Sequence, residues 1–513
     1  MGNQGKFYVT TAIPYSNAEP HLGTALEAIG TDVVARWKRL TGYDVFFLTG
    51  MDENSQKTVK AAEERGVEPR QLIDYISGKF KELWAKLYIS YDDFVRTTEP
   101  RHWKVAVELF NRVFKTGDIY EGTYAGWYCV GCENFLSEED IADGKCPVGH
   151  SAIEWVSEKG YFFRLSKYTD AVREHVERHP EFIEPDFRRN EIMNSYLLPG
   201  LKDVFVTRES NGWGIPLPVD PSRVLYVWFD ALVNYLTGCG FLSDGEKFDR
   251  YWPADLHVIG KDIIRFHTTH WPAMLMSAGL PLPRRVFVHG FVNIEGVKIS
   301  KSAGTAVDPG VLVEEFGADS LRYFLMREAP YAQDISFSRK KLVERHNRDL
   351  ANDLGNLLHR TLTMVAKYRD GVVPKAVDGD EGKPLREAAA ALPGSLEPEI
   401  EALRFNRALE QIWDVIRQAN RYVEESSPWS LAKEASQQKR LDSVLYTLLE
   451  SIRLVSICLW PFMPASSAEM RRQLGLGGTT DDVPVGQGGW GLLSPGTKVE
   501  EGTPVFPQKE ISE

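Results

Sequence analysis

Cysteine is scarce in this chain, five residues in 513, and that scarcity excludes a disulfide scaffold, which needs a dense set. Long apolar runs are missing as well. No stretch approaches the ~18 consecutive apolar residues of a membrane span. The opening MGNQGKFYVTTAIPY has neither the basic-then-apolar order of a secretory signal nor a transit-peptide composition. The expectation is a soluble, cytoplasmic protein with no membrane partner. A basic excess is also lacking: 60 Lys and Arg against 72 Asp and Glu leave a net charge of −12. That balance excludes an indiscriminate nucleic-acid binder, whose surface must attract phosphate at long range, and leaves room for a specific RNA partner met through local basic patches. With 43% hydrophobic and 26% charged residues, disorder and collagen are excluded too, and the length suits about three or four domains.

What the chain does contain is ordered along its length. Runs rich in β-branched and aromatic residues at 7–10, 45–48, 224–228, 257–259 and 286–288 are nearly continuous in apolar character, as strands covered on both faces of a parallel sheet should be. Between the first two, Leu26, Ile29, Val33, Trp37 and Leu40 recur at helical spacing and Gly42 closes the run, which predicts a strand–helix–strand crossover unit. The rhythm breaks from 116 to 223, a stretch holding three of the five cysteines, and this predicts a domain inserted between two halves of the sheet. After 340 the period turns helical, as in Phe405, Leu409, Ile412, Ile416, Ala419 and Val423, then Leu441, Leu445, Leu448, Ile452, Val455 and Leu459. The expected organisation is 1–115 and 224–340 as the halves of the sheet domain, 116–223 as the insertion, 341–490 as a helical bundle and 491–513 as a tail. Residues 371–398, rich in Gly, Pro, Ala and charge, are expected to connect helices of the bundle.

Three constellations can carry chemistry. Pro20-His21-Leu22-Gly23-Thr24 follows the first strand and starts its helix, where unpaired N–H groups and the positive end of the helix dipole attract phosphate. His21 there either donates to phosphate oxygens or merely caps the turn. The segment from Gly296 to Gly304 sets Lys298, Ser300, Lys301 and Ser302 among small residues. Two ammonium groups in such a loop can close over a polyphosphate and stabilise a departing pyrophosphate without any nucleophile or general base; the alternative is a plain solvated loop. Cys129 and Cys132 are separated by thirteen residues from Cys146, and His150 follows after three more. The spacing suits tetrahedral zinc, against the alternative of reduced, unliganded thiols. Cys239 and Cys458 stand in apolar surroundings and read as inert packing.

His21-Leu22-Gly23 paired with Lys298-Ile299-Ser300-Lys301-Ser302 resembles the two signatures of the class I aminoacyl-tRNA synthetases, HIGH and KMSKS. Further blocks, Thr10 to Tyr15, Phe47 to Glu53, Tyr226 to Ala231, Gly260 to His267 and Pro428-Trp429, look in order like those of the methionyl-tRNA synthetase family and span nearly the whole chain. The resemblance implies an α/β fold: a Rossmann-type parallel-sheet catalytic domain, split by an inserted zinc-knuckle connective domain and followed by an α-helical anticodon-binding bundle. It implies a ligase that activates L-methionine with ATP to methionyl-adenylate plus pyrophosphate, then transfers methionine to the 2′-hydroxyl of the terminal adenosine of tRNA(Met).

The same resemblance assigns residues. Ile13, Tyr15, Asp52, Trp228, Ala231, Tyr235, Ile263, His267 and Trp271 would form the methionine pocket, whose aromatic walls suit a polarizable thioether, with Asp52 taking the α-ammonium. Read without the family, Asp52 serves equally as a helix N-cap, and Trp228 and Tyr235 as core. ATP, with Mg2+ bridging its phosphates, would meet His21, Gly23, Thr24, Glu27, Asp262, Lys298, Ser300 and Lys301; His21, Lys298 and Lys301 would be the catalytic set, and Arg208 would line the cleft. Asn356, Arg360 and Trp429 would read the anticodon by stacking and by bonds to base edges. Taken bare, Trp429 is a hydrophobic staple and Arg360 a solvated charge. A structural Zn2+ would be held by Cys129, Cys132, Cys146 and His150, the last standing one residue later than the family's usual fourth ligand.

Two positions depart from the family blocks: Thr24 replaces the second His of HIGH, and Asn54 a His after the Asp-Glu pair. The expectation is that both line one pocket and that Asn54 supplies the donor Thr24 lacks. A catalytically silent tRNA-binding paralogue is the rival reading. A synthetase for leucine, isoleucine or valine is disfavoured, because the 116–223 stretch is too short for a large editing domain. No oligonucleotide-binding barrel follows the bundle, so a monomer is expected.

Overall fold

The apolar runs at 7–10, 45–48, 257–259 and 286–288 form strands of one sheet, as their continuous burial requires. A computed structural model describes residues 4–129, 131, 134–136, 138, 141, 143–146, 149, 151–294, 297–298, 307–375, 382–484, 486–500 and 502–510. Six strands, β1 (Lys6–Thr11), β2 (Asp44–Met51), β3 (Asp93–Arg96), β4 (Ile183–Glu184), β5 (Leu256–Gly260) and β6 (Val286–His289), lie in the order β3-β2-β1-β5-β6-β4. Every pairing is parallel. The helix α1 (Leu22–Leu40) joins β1 to β2, and Gly42 follows it at φ 92°, a left-handed value that side chains disfavour. Alternate residues divide between two cores: Phe7 and Val9 join one and Tyr8 the other, and on β2 Phe47 parts from Phe46 and Leu48 in the same way. At Gly50 the strands β2 and β3 come so close that a Cβ would lie 2.1 Å from the carbonyl oxygen of Val95. Glycine is therefore required two residues before Asp52.

Two expectations fail. The run at 224–228 is not a strand of this sheet: Arg223–Leu225 pairs antiparallel with Thr207–Glu209, and Val227–Ala231 is a short helix. A short buried apolar run does not by itself separate strand from helix. Nor is 371–398 only a connector, because Lys383–Glu401 is a helix with Pro393 and Pro398 inside it. Its Leu385, Ala389, Leu392, Leu396 and Ile400 are all buried, and this stripe outweighs the prolines.

The stretch 116–223 builds a second, antiparallel sheet in the order Asn134–Leu136, Ile119–Cys129, Ile153–Phe163, Val204–Phe205. It is not wholly separate, since β4 lies within it and pairs with β6. The bundle helices Phe405–Ser426 and Gln438–Leu459 bury the apolar faces their periods predict. Those faces share one continuous core with α1, so bundle and sheet domain are fused. Their joint is charged. Asp32 on α1 accepts from Arg36 at 2.9 Å and from Arg322 at 2.8 Å, and Arg322 also donates to the carbonyls of Pro461 at 2.7 Å and Phe462 at 2.8 Å. The tail docks rather than trails, with Val373 N–H donating to Thr497 at 2.9 Å and His346 Nε2 to the carbonyl of Pro507 at 2.8 Å. No helix among the described residues is long and apolar enough to cross a membrane.

Candidate active site

Because β1 has β2 on one side and β5 on the other, the strand order reverses at its carboxyl end, which is where open α/β sheets take their ligands. A cavity of about 290 Å3 opens there. It is lined by Ile13 and Tyr15 after β1, by His21, Gly23, Thr24 and Glu27 at the start of α1, by Asp52 after β2 and by Asp262 and Ile263 after β5. Trp228, Ala231, Tyr235 and His267 close it from short helices. Trp271 is not among the lining residues; it is fully buried, its ring 6.0 Å from that of Tyr235.

His21 is the N-cap of α1. Its Nδ1 accepts from the N–H of Gly23 at 3.1 Å and of Thr24 at 3.3 Å, while the Thr24 hydroxyl accepts from His21 N–H at 3.0 Å and donates to His21 O at 2.8 Å. An Nδ1 that accepts carries no proton, so the neutral ring bears its hydrogen on Nε2. The helix dipole thus acts through the imidazole and makes Nε2–H a stronger donor to an anion. Capping engages Nδ1 alone, so the two roles posed as alternatives from the sequence do not exclude each other. One turn on, Glu27 accepts from Ala12 N–H at 3.0 Å and faces His289 Nε2 at 2.9 Å. Glu27 thereby ties α1 to the loop after β1 and to the end of β6.

The other wall is aromatic. Trp228 stacks on Phe266 with centroids 3.8 Å apart and planes 5° from parallel, and Tyr15 meets Trp228 edge-on at 6.4 Å. His267 Nδ1 donates to the Ile263 carbonyl at 3.0 Å, so its Nε2 accepts from the Tyr235 hydroxyl at 2.7 Å. Burial holds the His267 pKa down at about 4 and pushes the Tyr235 hydroxyl well up. Both are neutral near pH 7, and this wall presents no charge to an apolar side chain. Asp52 is 2% exposed and is held by main-chain bonds from its N–H to Pro14 O and from Ser16 N–H to its carbonyl, each 2.9 Å. It does not cap the next helix: Ser55 does, accepting from Lys57 N–H at 3.0 Å. A buried carboxylate facing a cavity is suited to an ammonium group.

The whole chain can be compared with proteins of known activity. Residues 7–154 and 139–362 match the family model "tRNA synthetases class I (M)", and residues 373–506 match "Anticodon binding domain of methionyl tRNA ligase". A methionine–tRNA ligase of Caldanaerobacter subterraneus is 47% identical over 508 residues, covering 98% of this chain and 79% of that one. The ligase of Thermotoga maritima is 45% identical over 98% of this chain and 80% of its own. A crystal structure of the Mycobacterium tuberculosis methionyl-tRNA synthetase bound by methionyl-adenylate superposes with a TM-score of 0.93 at 44% identity, covering 98% of this chain and 100% of that one. The chain belongs to the methionyl-tRNA synthetases. It is a class I methionine–tRNA ligase, and the silent-paralogue and other-synthetase readings fall away.

Within this family frame several predicted residues either stand apart from the cavity or lie outside the described residues. Val297–Lys298 is a two-residue strand, but the Lys298 side chain, Ser300 and Lys301 lie outside the described residues. Arg208 does not line the cavity; its guanidinium sits 4.5 Å from the ring centre of Tyr128 and 3.3 Å from Glu158. Thr24 and Asn54 do not share a pocket. Thr24 is engaged with His21, whereas the Asn54 amide donates to Asp230 Oδ2 at 2.8 Å and to Thr97 O at 3.1 Å. Asn54 cannot reach Thr24 while bound there, which overturns the proposed compensation. Cys129 and Cys146 are buried together with Leu136 in one small cluster; Cys132 and His150 lie outside the described residues. No group of three or more possible metal ligands occurs among the described residues. Cys239 and Cys458 are buried, and burial pushes both thiols up to about 12, as inert packing requires. On the bundle, Asn356 opens the helix Asn356–Arg369, Arg360 donates to Glu424 at 2.6 Å, and Trp429 is 38% exposed rather than packed away. Sequence reasoning missed His289 and Asn234, both of which line the cavity. The His289-Gly290 pair at a strand's carboxyl end was a usable signal for the first.

Proposed function

We propose that this cavity forms methionyl-adenylate and pyrophosphate from L-methionine and ATP, and then passes methionine to the 2′-hydroxyl of the terminal adenosine of tRNA(Met). One observation carries the residue-level reading. A buried carboxylate, Asp52, an uncharged aromatic wall and the capped N-terminus of α1 all face the same cavity. Asp52 takes the α-ammonium and thereby aims the methionine carboxylate at the α-phosphate. Trp228, Tyr15 and the neutral Tyr235–His267 pair hold the thioether, each good sulfur–aromatic contact being worth roughly 0.3–1.5 kcal/mol. His21 Nε2–H, Glu27 and Asp262 serve ATP, and Lys298 and Lys301 neutralise charge on the departing pyrophosphate. Nothing in this set is a covalent nucleophile, which suits a displacement run by position and electrostatics. Mg2+ arrives with ATP as the counter-ion of its phosphates, and no residue is assigned to it.

Asn356, Arg360 and Trp429 are proposed to bind the anticodon. Zinc fits the insertion, because Cys129 and Cys146, far apart in sequence, meet in one cluster, and soft thiolates with one imidazole suit a closed structural site. Metal analysis giving about one zinc per chain, lost in Cys132→Ala, checks it. The function itself is tested by methionine-dependent ATP–pyrophosphate exchange. Lys301→Ala should lower that exchange on the order of 100-fold or more with a smaller change in methionine affinity. An effect on methionine binding alone would contradict the assigned role.

A further inference from the structure

The helix that carries Trp228 and Ala231 runs only from Val227 to Ala231, and a helix this short does not hold itself in place. Its acidic residue, Asp230, is 1% exposed. The carboxylate is gripped at both oxygens: His102 Nε2 donates to Oδ1 at 2.7 Å, and the Asn54 amide to Oδ2 at 2.8 Å. His102 comes from the helix Pro100–Lys115 and is itself fully buried. Its other nitrogen lies 3.0 Å from the Thr237 hydroxyl, on the helix Asn234–Gly238 that carries Tyr235. Asn54 follows Asp52 by two residues and also donates to Thr97 O, just past β3, at 3.1 Å. None of Asn54, His102, Asp230 and Thr237 lines the cavity.

We propose that Asn54, His102 and Asp230 are positioning residues that set the spacing of the methionine pocket. One buried network ties the turn holding Asp52 to the helix holding Trp228 and Ala231, and through Thr237 to the helix holding Tyr235. The distance from ammonium site to thioether wall is therefore fixed by hydrogen bonds made behind the wall, where no ligand reaches. A carboxylate buried this deeply is stable only while its donors are present. Removing one donor frees the short helix to shift, and the pocket loses its fit to the length of methionine. The ATP side, built on α1 and Glu27, has no member in this network.

This inference rests on the proposed assignment of the Asp52 and Trp228 wall to methionine. The test is Asn54→Ala in pyrophosphate exchange, with the Michaelis constants for methionine and ATP measured separately. The expected result is a methionine constant raised about tenfold, the equivalent of one hydrogen bond to a charged group, with the ATP constant and the turnover at saturating methionine little changed. Discrimination against norleucine, which has the same length without the sulfur, should fall alongside. Asn54→His, which restores an N–H donor, should recover most of the loss. If Asn54→Ala does not fold, His102→Asn, which withdraws the other donor, is read by the same split. Equal rises in both constants, a fall in turnover with methionine binding intact, or no recovery in Asn54→His would overturn the network's role. Wild-type protein that failed to exchange pyrophosphate with methionine would instead overturn the functional reading and this inference with it.

Discussion

In the cavity, the polar groups proposed to meet ligands are oriented by other protein atoms: His21 is aimed by two backbone N–H groups, Glu27 by Ala12, and His267 by the Ile263 carbonyl. On the bundle face, Trp429 is 38% exposed, and Arg360, 41% exposed, makes its ion pair with a Glu424 that is itself 60% exposed. The contrast is the one that the two proposed tasks require. Charge develops in the cavity during a reaction, and donors that need no rearrangement stabilise it best. A single-stranded base brings its own flat face and hydrogen-bonding edges, so its site needs only an open aromatic plane and reachable polar arms. An exposed ion pair contributes about 0–1 kcal/mol and is easily exchanged for a base.

The comparison breaks most severely at the joint between the regions. Arg322 and Asp32 are both fully buried, and the guanidinium also satisfies the Pro461 and Phe462 carbonyls of the bundle. Arg322→Met should cost about 3–5 kcal/mol of stability, since it takes from a buried carboxylate one of its two guanidinium partners and leaves the Pro461 and Phe462 carbonyls without their donor. Denaturant unfolding measures it. A loss under 1 kcal/mol would mean that the apolar core alone fuses the two regions.

The cavity should also carry a pH signature that the bundle face lacks. The folded pKa of His267 is about 4, below the roughly 6.5 of an unfolded histidine. The unfolded chain therefore binds the extra proton first, and stability present above pH 6.5 is lost as pH falls toward 4. His267→Gln should shrink the stability difference between pH 7 and pH 4 by roughly 2–3 kcal/mol. Burial lowers His257 and His270 in the same direction, so part of the slope should survive. An unchanged slope would show that His267 takes up its proton equally readily in the folded and unfolded chain.

How far the sequence revealed these regions depends on the range of the interactions. The unit β1–α1–β2 was legible because burial on both strand faces and a helical stripe are written locally, and the bundle for the same reason. The helix Val227–Ala231 was not, because a short apolar run does not separate strand from helix and its contacts are distant, Asp230 bonding Asn54 176 residues away. Likewise Glu27 meets His289 across 262 residues, and a single sequence carries no sign of that pairing. Prolines concealed Lys383–Glu401, where local propensity points one way and the apolar stripe another.

On the bundle face the expected effect is smaller and confined. Trp429→Ala should weaken tRNA binding by roughly 1–3 kcal/mol, the value of one stacked base, and leave tRNA-independent pyrophosphate exchange unchanged. Measuring both reactions on one preparation separates the regions. Equal damage to both would mean that the exposed indole supports the fold.

The smallest expected quantity is a coupling inside the cavity region, between the two residues that depart from the family blocks. Among the described residues the Thr24 hydroxyl bonds to His21 alone; Asn54 bonds to Asp230 and Thr97. The first closes the capping box on α1, so Thr24→Ala should cost about 0.5–2 kcal/mol in the placement of His21 and be felt with ATP. The second holds the wall behind Trp228, so Asn54→Ala should be felt with methionine. Sites without a shared partner add to within about 0.3–0.5 kcal/mol, and the double variant in pyrophosphate exchange should therefore equal the sum of the two single ones. A coupling above about 1 kcal/mol would place both residues in one network during catalysis. The ATP side and the methionine side would then be a single preorganised unit, rather than two that meet only through the substrates between them.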